Sequence, residues 1–131
     1  MDEIFLKETQ MTAVKKVQEL DTTDFKRHRQ HNIIYHRDKS GTHRGIISFY
    51  TPWCQHCKNF QPDMEILAQQ GIPMKALNCD KYLRLSHSLG VSTYPTIGFV
   101  NTKGQIYRYS GTRKKEILKD AYRLFQKKHD G

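Results

Sequence analysis

Nowhere in these 131 residues does an apolar run approach the ~18 residues of a membrane-spanning helix. No membrane partner is therefore expected. The first residues, Met1-Asp2-Glu3-Ile4-Phe5-Leu6, lack the basic stretch and apolar core of a secretory leader. The expectation is a cytoplasmic protein, with the endoplasmic reticulum or another secretory compartment reserved for the case in which further sequence precedes Met1. Cysteine is scarce, at 3 residues, an odd number and too few for a disulfide scaffold. Acidic residues are also few, 13 against 22 Lys and Arg, which leaves a formal charge of +9. Internal repeats and low-complexity tracts are missing. Mean hydropathy is low at −0.77. Yet 7 Tyr, 6 Phe and 1 Trp supply large core pieces that disordered chains lack. A chain of this length folds as one domain and buries roughly two-thirds of its unfolded surface without a staple.

The basic surplus alone does not define a partner. Lys and Arg are scattered over the whole chain, with local clusters at Lys15-Lys16, Arg27 to Arg37, Arg113-Lys114-Lys115 and Lys127-Lys128. No helix-turn-helix, ribonucleoprotein or finger pattern accompanies them. Tyr82, Tyr107, Tyr109 and Tyr122 are too dispersed to form a stacking platform for bases. Nucleic acid is thus expected to bind only non-specifically, through charge at low salt.

What the chain does contain is an alternation of short apolar runs and helical stripes. Residues 1–16 read as an N-terminal extension with a short helix leading into a strand around Val17–Leu20. Asp21-Thr22-Thr23-Asp24 offers an N-cap before a short helix over Phe25–His28. Residues 36–45, polar, basic and punctuated by glycine, read as an exposed loop. Ile46–Tyr50 is long enough for a buried strand and too short for a core helix. Trp53, Cys57, Phe60, Met64 and Leu67 then recur at helical spacing, with Pro62 expected to kink that helix and Gly71 to close it. Met74–Asn78 reads as a second core strand, and Asp80 as the cap of a helix carrying Leu85 and Leu89. Thr96–Val100 and Gln105–Ser110 read as a hairpin around Asn101–Gly104, and Ile117 to Phe125 as a final amphipathic helix. This order predicts an α/β domain with a central mixed sheet covered by helices on both faces.

Chemistry concentrates at Cys54-Gln55-His56-Cys57. A thiolate is the attacking species in disulfide exchange, and an ordinary cysteine at neutral pH is mostly protonated. Cys54 falls at a helix start, where unpaired N–H groups and the helix dipole are expected to favour its thiolate. His56 adds a cation nearby, and Cys57, one turn on, is close enough to close a short disulfide. The competing reading is half of a zinc site. Two more ligands would be needed. Cys79 is single, and none of the 7 histidines forms a ligand pair downstream of the motif. No metal site and no cofactor beyond the redox-active cysteine pair are expected. Cys79 itself reads as a packed small hydrophobe.

Ile46–Lys58, with its Phe49-Tyr50-Thr51-Pro52-Trp53-Cys54-Gln55-His56-Cys57-Lys58 run, resembles the active-site segment of the thioredoxin superfamily. The likeness is strongest to the catalytic, a-type domains of protein disulfide isomerases. Pro62 matches the kinking proline of the family. Val91-Ser92-Thr93-Tyr94-Pro95-Thr96 resembles its second signature, in which Pro95 follows a cis bond, and Tyr109-x-Gly111-x-Arg113 resembles the segment before the last helix. The resemblance spans residues 17–129 and implies a thioredoxin fold with the cis-proline opposite the Cys54–Cys57 helix start. By position it implies Cys54 as nucleophile and Cys57 as the buried resolving thiol. It places Trp53, Gln55, Thr93, Tyr94 and Pro95 along the substrate groove. Arg113 is implied as a mobile cation assisting Cys57, the alternative being a solvated arginine at a helix start.

Two departures from the family pattern stand out. Ser48 occupies the position of a buried acid that shuttles the proton of the second cysteine, and Ala76 that of the lysine paired with it. The loss of both is self-consistent, because either charge alone would be buried without a partner. Slow resolution by Cys57 at neutral pH is expected to follow. The second departure is a basic insertion over 33–45, read as a solvated loop in preference to a binding appendage.

The function implied is thiol–disulfide exchange with protein thiols or disulfides, alongside a redox partner that is a reductase or a sulfhydryl oxidase. His56 points toward oxidising or isomerising members, since a histidine near the thiolate stabilises the reduced form and raises the potential. A cytosolic oxidant needs an unusual compartment. A large DNA virus that oxidises its own proteins is one such setting and would make this a virus-associated or virion protein. The rival reading is a non-enzymatic module whose groove and basic surface hold a protein or nucleic-acid partner; the paired cysteines argue against it.

Overall fold

In the computed structural model, which describes residues 16–28, 33–36 and 44–130, a short apolar run forms each central strand. The strands are β1 (Gln18–Glu19), β2 (Phe25–His28), β3 (Ile33–His36), β4 (Gly45–Tyr50), β5 (Met74–Asn78), β6 (Thr96–Val100) and β7 (Ile106–Tyr109). The helices are α1 (Gln55–Gln69), α2 (Leu83–Ser88) and α3 (Lys115–Asp130). Five strands make one sheet in the order β1-β5-β4-β6-β7, and β2 with β3 makes a separate ribbon. β1, β5 and β4 run parallel, whereas β6 and β7 are antiparallel to their neighbours, so the sheet is mixed as expected.

Alternation along β4 and β5 divides the core in two. Ile46, Met74, Ala76, Ile97 and Phe99 meet Phe60, Met64 and Leu67 of α1 and Leu118 and Tyr122 of α3 on one face. Ile47, Phe49, Leu77, Cys79 and Val100 meet Leu85 on α2 and Leu89 just beyond it on the other. Pro62 lies inside α1 and withholds the N–H that the Lys58 carbonyl would otherwise accept, yet the helix continues to Gln69. Gly71 ends this segment at φ 92°, a conformation that favours glycine. The β6–β7 turn is held by Asn101, whose Oδ1 accepts from the N–H groups of Lys103 and Gln105 at 3.0 Å each.

Several expectations are corrected. Phe25–His28 is a strand, not a helix. The Asp21–Asp24 capping box is real, but it closes only a single 3₁₀ turn over Thr22–Asp24. Pairing with β3 then draws the chain into an extended course, a tertiary contact that outweighs the local signal. Asp80 is not the cap of α2; the N-cap is Tyr82, without a side-chain bond. The N–H groups of Asp80 and Lys81 instead meet Asn78 Oδ1 at 3.0 and 3.1 Å. The final sheet strand is shorter at both ends than the predicted 105–110.

The 33–45 segment is not a solvated loop throughout. Its first residues form β3, and His36 is fully buried. The His36 ring meets the Asp24 carbonyl through Nδ1 at 2.9 Å and Lys75 Nζ through Nε2 at 2.8 Å. The His36 N–H donates to the Gly104 carbonyl at 2.8 Å, joining the ribbon to the β6–β7 turn. Of the rest of the insertion, residues 37–43 lie outside the described residues, as does the helix expected before Val17, and Gly45 already begins β4.

Candidate active site

Tyr50 ends β4 at the edge of the buried core, and Thr51-Pro52-Trp53 carries the chain to the start of α1. Pro52 cannot continue the ladder, and Cys54 has an extended backbone (φ −78°, ψ 119°) as the N-cap of α1. Here a cysteine does what Ser or Asp commonly does: its sulfur accepts the Cys57 N–H at 3.2 Å. One unsatisfied N–H of the first helical turn is thereby aimed at Cys54 Sγ. Both sulfurs belong to free thiols.

The opposite wall is the loop before β6. The Tyr94–Pro95 peptide is cis, as the motif implied. Its Tyr94 carbonyl accepts the Cys54 thiol at 3.5 Å. Trp53, 65% exposed, meets the Tyr94 ring edge to face at a centroid separation of 6.0 Å. Thr93 is fixed by Thr96, whose hydroxyl donates to the Thr93 carbonyl at 2.6 Å. Cys54, Cys57, Trp53, Tyr94 and Pro95 are thus brought together, with Thr93 beside them. His56 and Gln55 are exposed on the first turn of α1. Gln55 Nε2 donates to Asn59 Oδ1 at 2.9 Å, along the helix surface.

Exposure does not separate the two thiols, at 7% for Cys54 and 8% for Cys57. Electrostatics marks Cys57. Burial pushes its thiol up to about 12, and the hydrogen bond with Cys54 adds to the rise. A backbone hydrogen bond from Thr51 and, to a smaller extent, the positive charge of Arg113 oppose it. Burial also raises Cys79, to about 11. Among the described residues no group of three or more metal-ligating side chains converges.

Behind Cys57 lies a cavity of about 450 Å³, lined among others by Ser48, Tyr50, Met64, Ala76, Glu19 and Lys58. Ser48 and Ala76 are register partners across β4 and β5. Two small side chains there leave space at the positions the family pattern gives to an acid and a lysine. The cavity rim holds a pair that sequence reasoning missed: the Tyr50 hydroxyl donates to Glu19 Oε1 at 2.8 Å. Burial and that bond hold the Tyr50 hydroxyl protonated far above its usual range. Nothing in the local sequence joins residues 31 positions apart. Arg108 was also missed, although its place on a strand beside the cis-proline loop follows from the hairpin.

A mixed sheet with a vicinal thiol pair at the start of the helix after its central strand, faced by a cis-proline loop, defines a thioredoxin fold. Residues 24–123 match the Thioredoxin family model, and the chain belongs to that family. It is 36% identical over 79 residues to protein disulfide-isomerase 5-2 of Arabidopsis thaliana, covering 56% of this chain and 18% of that protein. It is 35% identical over 82 residues to DnaJ homolog subfamily C member 10 of Xenopus laevis, covering 60% of this chain and 9% of that one. Among solved structures, spinach chloroplast thioredoxin f superposes with a TM-score of 0.63 at 23% identity, over 88% of this chain and 92% of that one. The chain spans less than a fifth of the length of these two curated relatives.

Proposed function

We propose that this protein is a thiol–disulfide oxidoreductase acting on protein substrates through Cys54 and Cys57. The observation that carries the reading is the position of Cys54. Its sulfur receives a helical N–H from Cys57 and donates to the Tyr94 carbonyl beside the cis-proline at 3.5 Å. In the reductive direction the Cys54 thiolate attacks a substrate disulfide, forming a mixed disulfide and expelling one substrate thiolate. Cys57, having lost its proton, attacks Cys54 Sγ. The second substrate thiolate leaves, and two electrons have passed from the Cys54–Cys57 dithiol to the substrate. Oxidation of a substrate dithiol is the same sequence reversed. Both electrons reside on sulfur, so the step needs no cofactor.

In this reading Trp53, Thr93, Tyr94 and Pro95 form the wall along which a substrate chain lies, with Gln55 and His56 at its rim. Arg113 assists Cys57 through its charge. The exposed imidazole of His56, between the two cysteines in sequence, is the feature that favours the reduced state and with it oxidation or isomerisation of substrates. A reductase or a sulfhydryl oxidase then resets the pair. Similarity to protein disulfide isomerases supports the same class of reaction.

Insulin-disulfide reduction by the wild-type chain and by Cys54→Ser tests the proposal. Turnover should vanish in Cys54→Ser. No turnover in either would leave a binding module as the reading, and equal turnover in both would overturn the role given to Cys54. A redox titration of the pair against glutathione assigns direction.

A further inference from the structure

Two guanidinium groups stand beside the cis-proline loop, and among the described residues no carboxylate meets them. A shallow cavity of about 190 Å³ opens between Pro95–Ile97 and residues 108–111, with Arg113 also on its wall. Arg108 is steadied there by a hydrogen bond from Nη2 to Thr93 Oγ1 at 3.3 Å. Among the described residues neither arginine has an ion-pair partner. The acid nearest in sequence, Glu116, is engaged by Lys115 at 3.1 Å. The cavity is also tied to the nucleophile. Tyr94 accepts the Cys54 thiol through its carbonyl, and the next residue, Pro95, is already cavity wall. A polypeptide held on Cys54 that runs along this loop toward Pro95 enters the cavity lined by the two arginines.

A guanidinium is a planar fork of donors that matches a carboxylate, and it stays charged throughout the physiological range. The space is too small for a folded domain and ample for one acidic side chain. The surrounding charge has the same sign, +9 over the chain. We propose that this cavity is a subsite for an Asp or Glu side chain of the substrate, carried near the cysteine that reacts with Cys54. Arg108 and Arg113 supply the recognition. The proposal rests on the disulfide-exchange reading above and adds the chemical class of substrate to it. Arg108 is a specificity residue here, since it touches the substrate and not the sulfurs.

The test uses two peptide disulfide dimers that are identical except for Glu or Gln on each side of a single cysteine. Formation of the Cys54 mixed disulfide is timed in the full chain carrying Cys57→Ser, which arrests the reaction at that stage. Rates of the same peptides with dithiothreitol remove their intrinsic difference in reactivity. The Glu peptide should react about fivefold faster than the Gln peptide at low salt, with the ratio falling as salt rises. Arg108→Gln and Arg113→Gln should each reduce the ratio toward one. The double variant Lys127→Gln/Lys128→Gln, which removes more charge than either, should leave it unchanged. Equal rates for the two peptides would overturn the subsite. So would a preference that survives both arginine variants, or one lost in the lysine variant, since whole-molecule attraction would then explain it. Failure of both peptides to form any Cys54 adduct would overturn the exchange reading and this proposal with it.

Discussion

In the disulfide-exchange reading proposed above, Cys57 resolves a mixed disulfide on Cys54 only once its own thiol has lost a proton, and burial makes that loss difficult. Burial is the main cause, raising the thiol from 9.0 to about 12, and Ser48 on the adjoining cavity wall cannot accept the proton near neutrality. Burial persists when Cys54 is held in a mixed disulfide, so the Cys57 thiol stays mostly protonated at neutral pH, and its thiolate fraction grows about tenfold per pH unit below its pKa. Resolution should therefore speed up by roughly 100-fold between about pH 7 and pH 9, without a plateau in that window. Arg113→Gln removes a charge that lowers the Cys57 thiol. The variant should resolve several-fold more slowly throughout while keeping the same slope. The assay loads Cys54 with a chromophoric aromatic thiol as a mixed disulfide and follows its release in single-turnover stopped flow. Cys79, fully buried, does not compete for the label. A rate that stays flat over that range would refute the argument. It would show that a base elsewhere in the cavity already takes the Cys57 proton. An Arg113→Gln rate equal to wild type would refute the role given to its charge.

Ser48→Asp places a carboxylate on the cavity wall beside Cys57, so resolution near neutral pH should rise at least ~10-fold and its pH slope should flatten in the same assay. His36→Ala removes a fully buried ring together with its contacts to Lys75 and the Asp24 carbonyl. Urea denaturation should show a loss of about 3 kcal/mol, and a loss under ~1 kcal/mol would contradict the ribbon's anchoring role. Gly45→Ala should cost about 2–4 kcal/mol, because φ is 145° and an added Cβ would run into the Pro73 carbonyl. Gly71→Ala, also at positive φ but facing open space, should cost only about 1 kcal/mol by the same measurement.

The central strands were legible because each is a short apolar run bounded by turn residues. Ile46–Tyr50, Met74–Asn78 and Thr96–Val100 all lie where the pattern put them. The dithiol helix was legible for a second reason: its apolar stripe and its cysteines share one periodicity. What escaped notice depends on partners remote in the chain. Phe25–His28 carries a genuine cap signal, and only the pairing with Ile33–His36 makes it a strand. Lys75 was a readable warning. It sits between Met74 and Ala76 in a strand buried on both faces, so its ammonium needed a buried partner. That partner came from the insertion, as His36. The proton-relay departure at Ser48 was visible as a residue type. Its physical consequence, a cavity with a Tyr50–Glu19 pair on the rim, was not, because it depends on where β1 joins the sheet.

The claim on which everything else depends is that Cys54 attacks and Cys57 resolves. Mass spectrometry of the chain after reaction with a disulfide-containing protein tests it most directly. Cys57→Ser should accumulate a reducible adduct mapped to Cys54, wild type should show little of it, and Cys54→Ser should show none. An adduct that forms equally well on Cys57 in the Cys54→Ser chain, or no adduct in Cys57→Ser, would contradict the account.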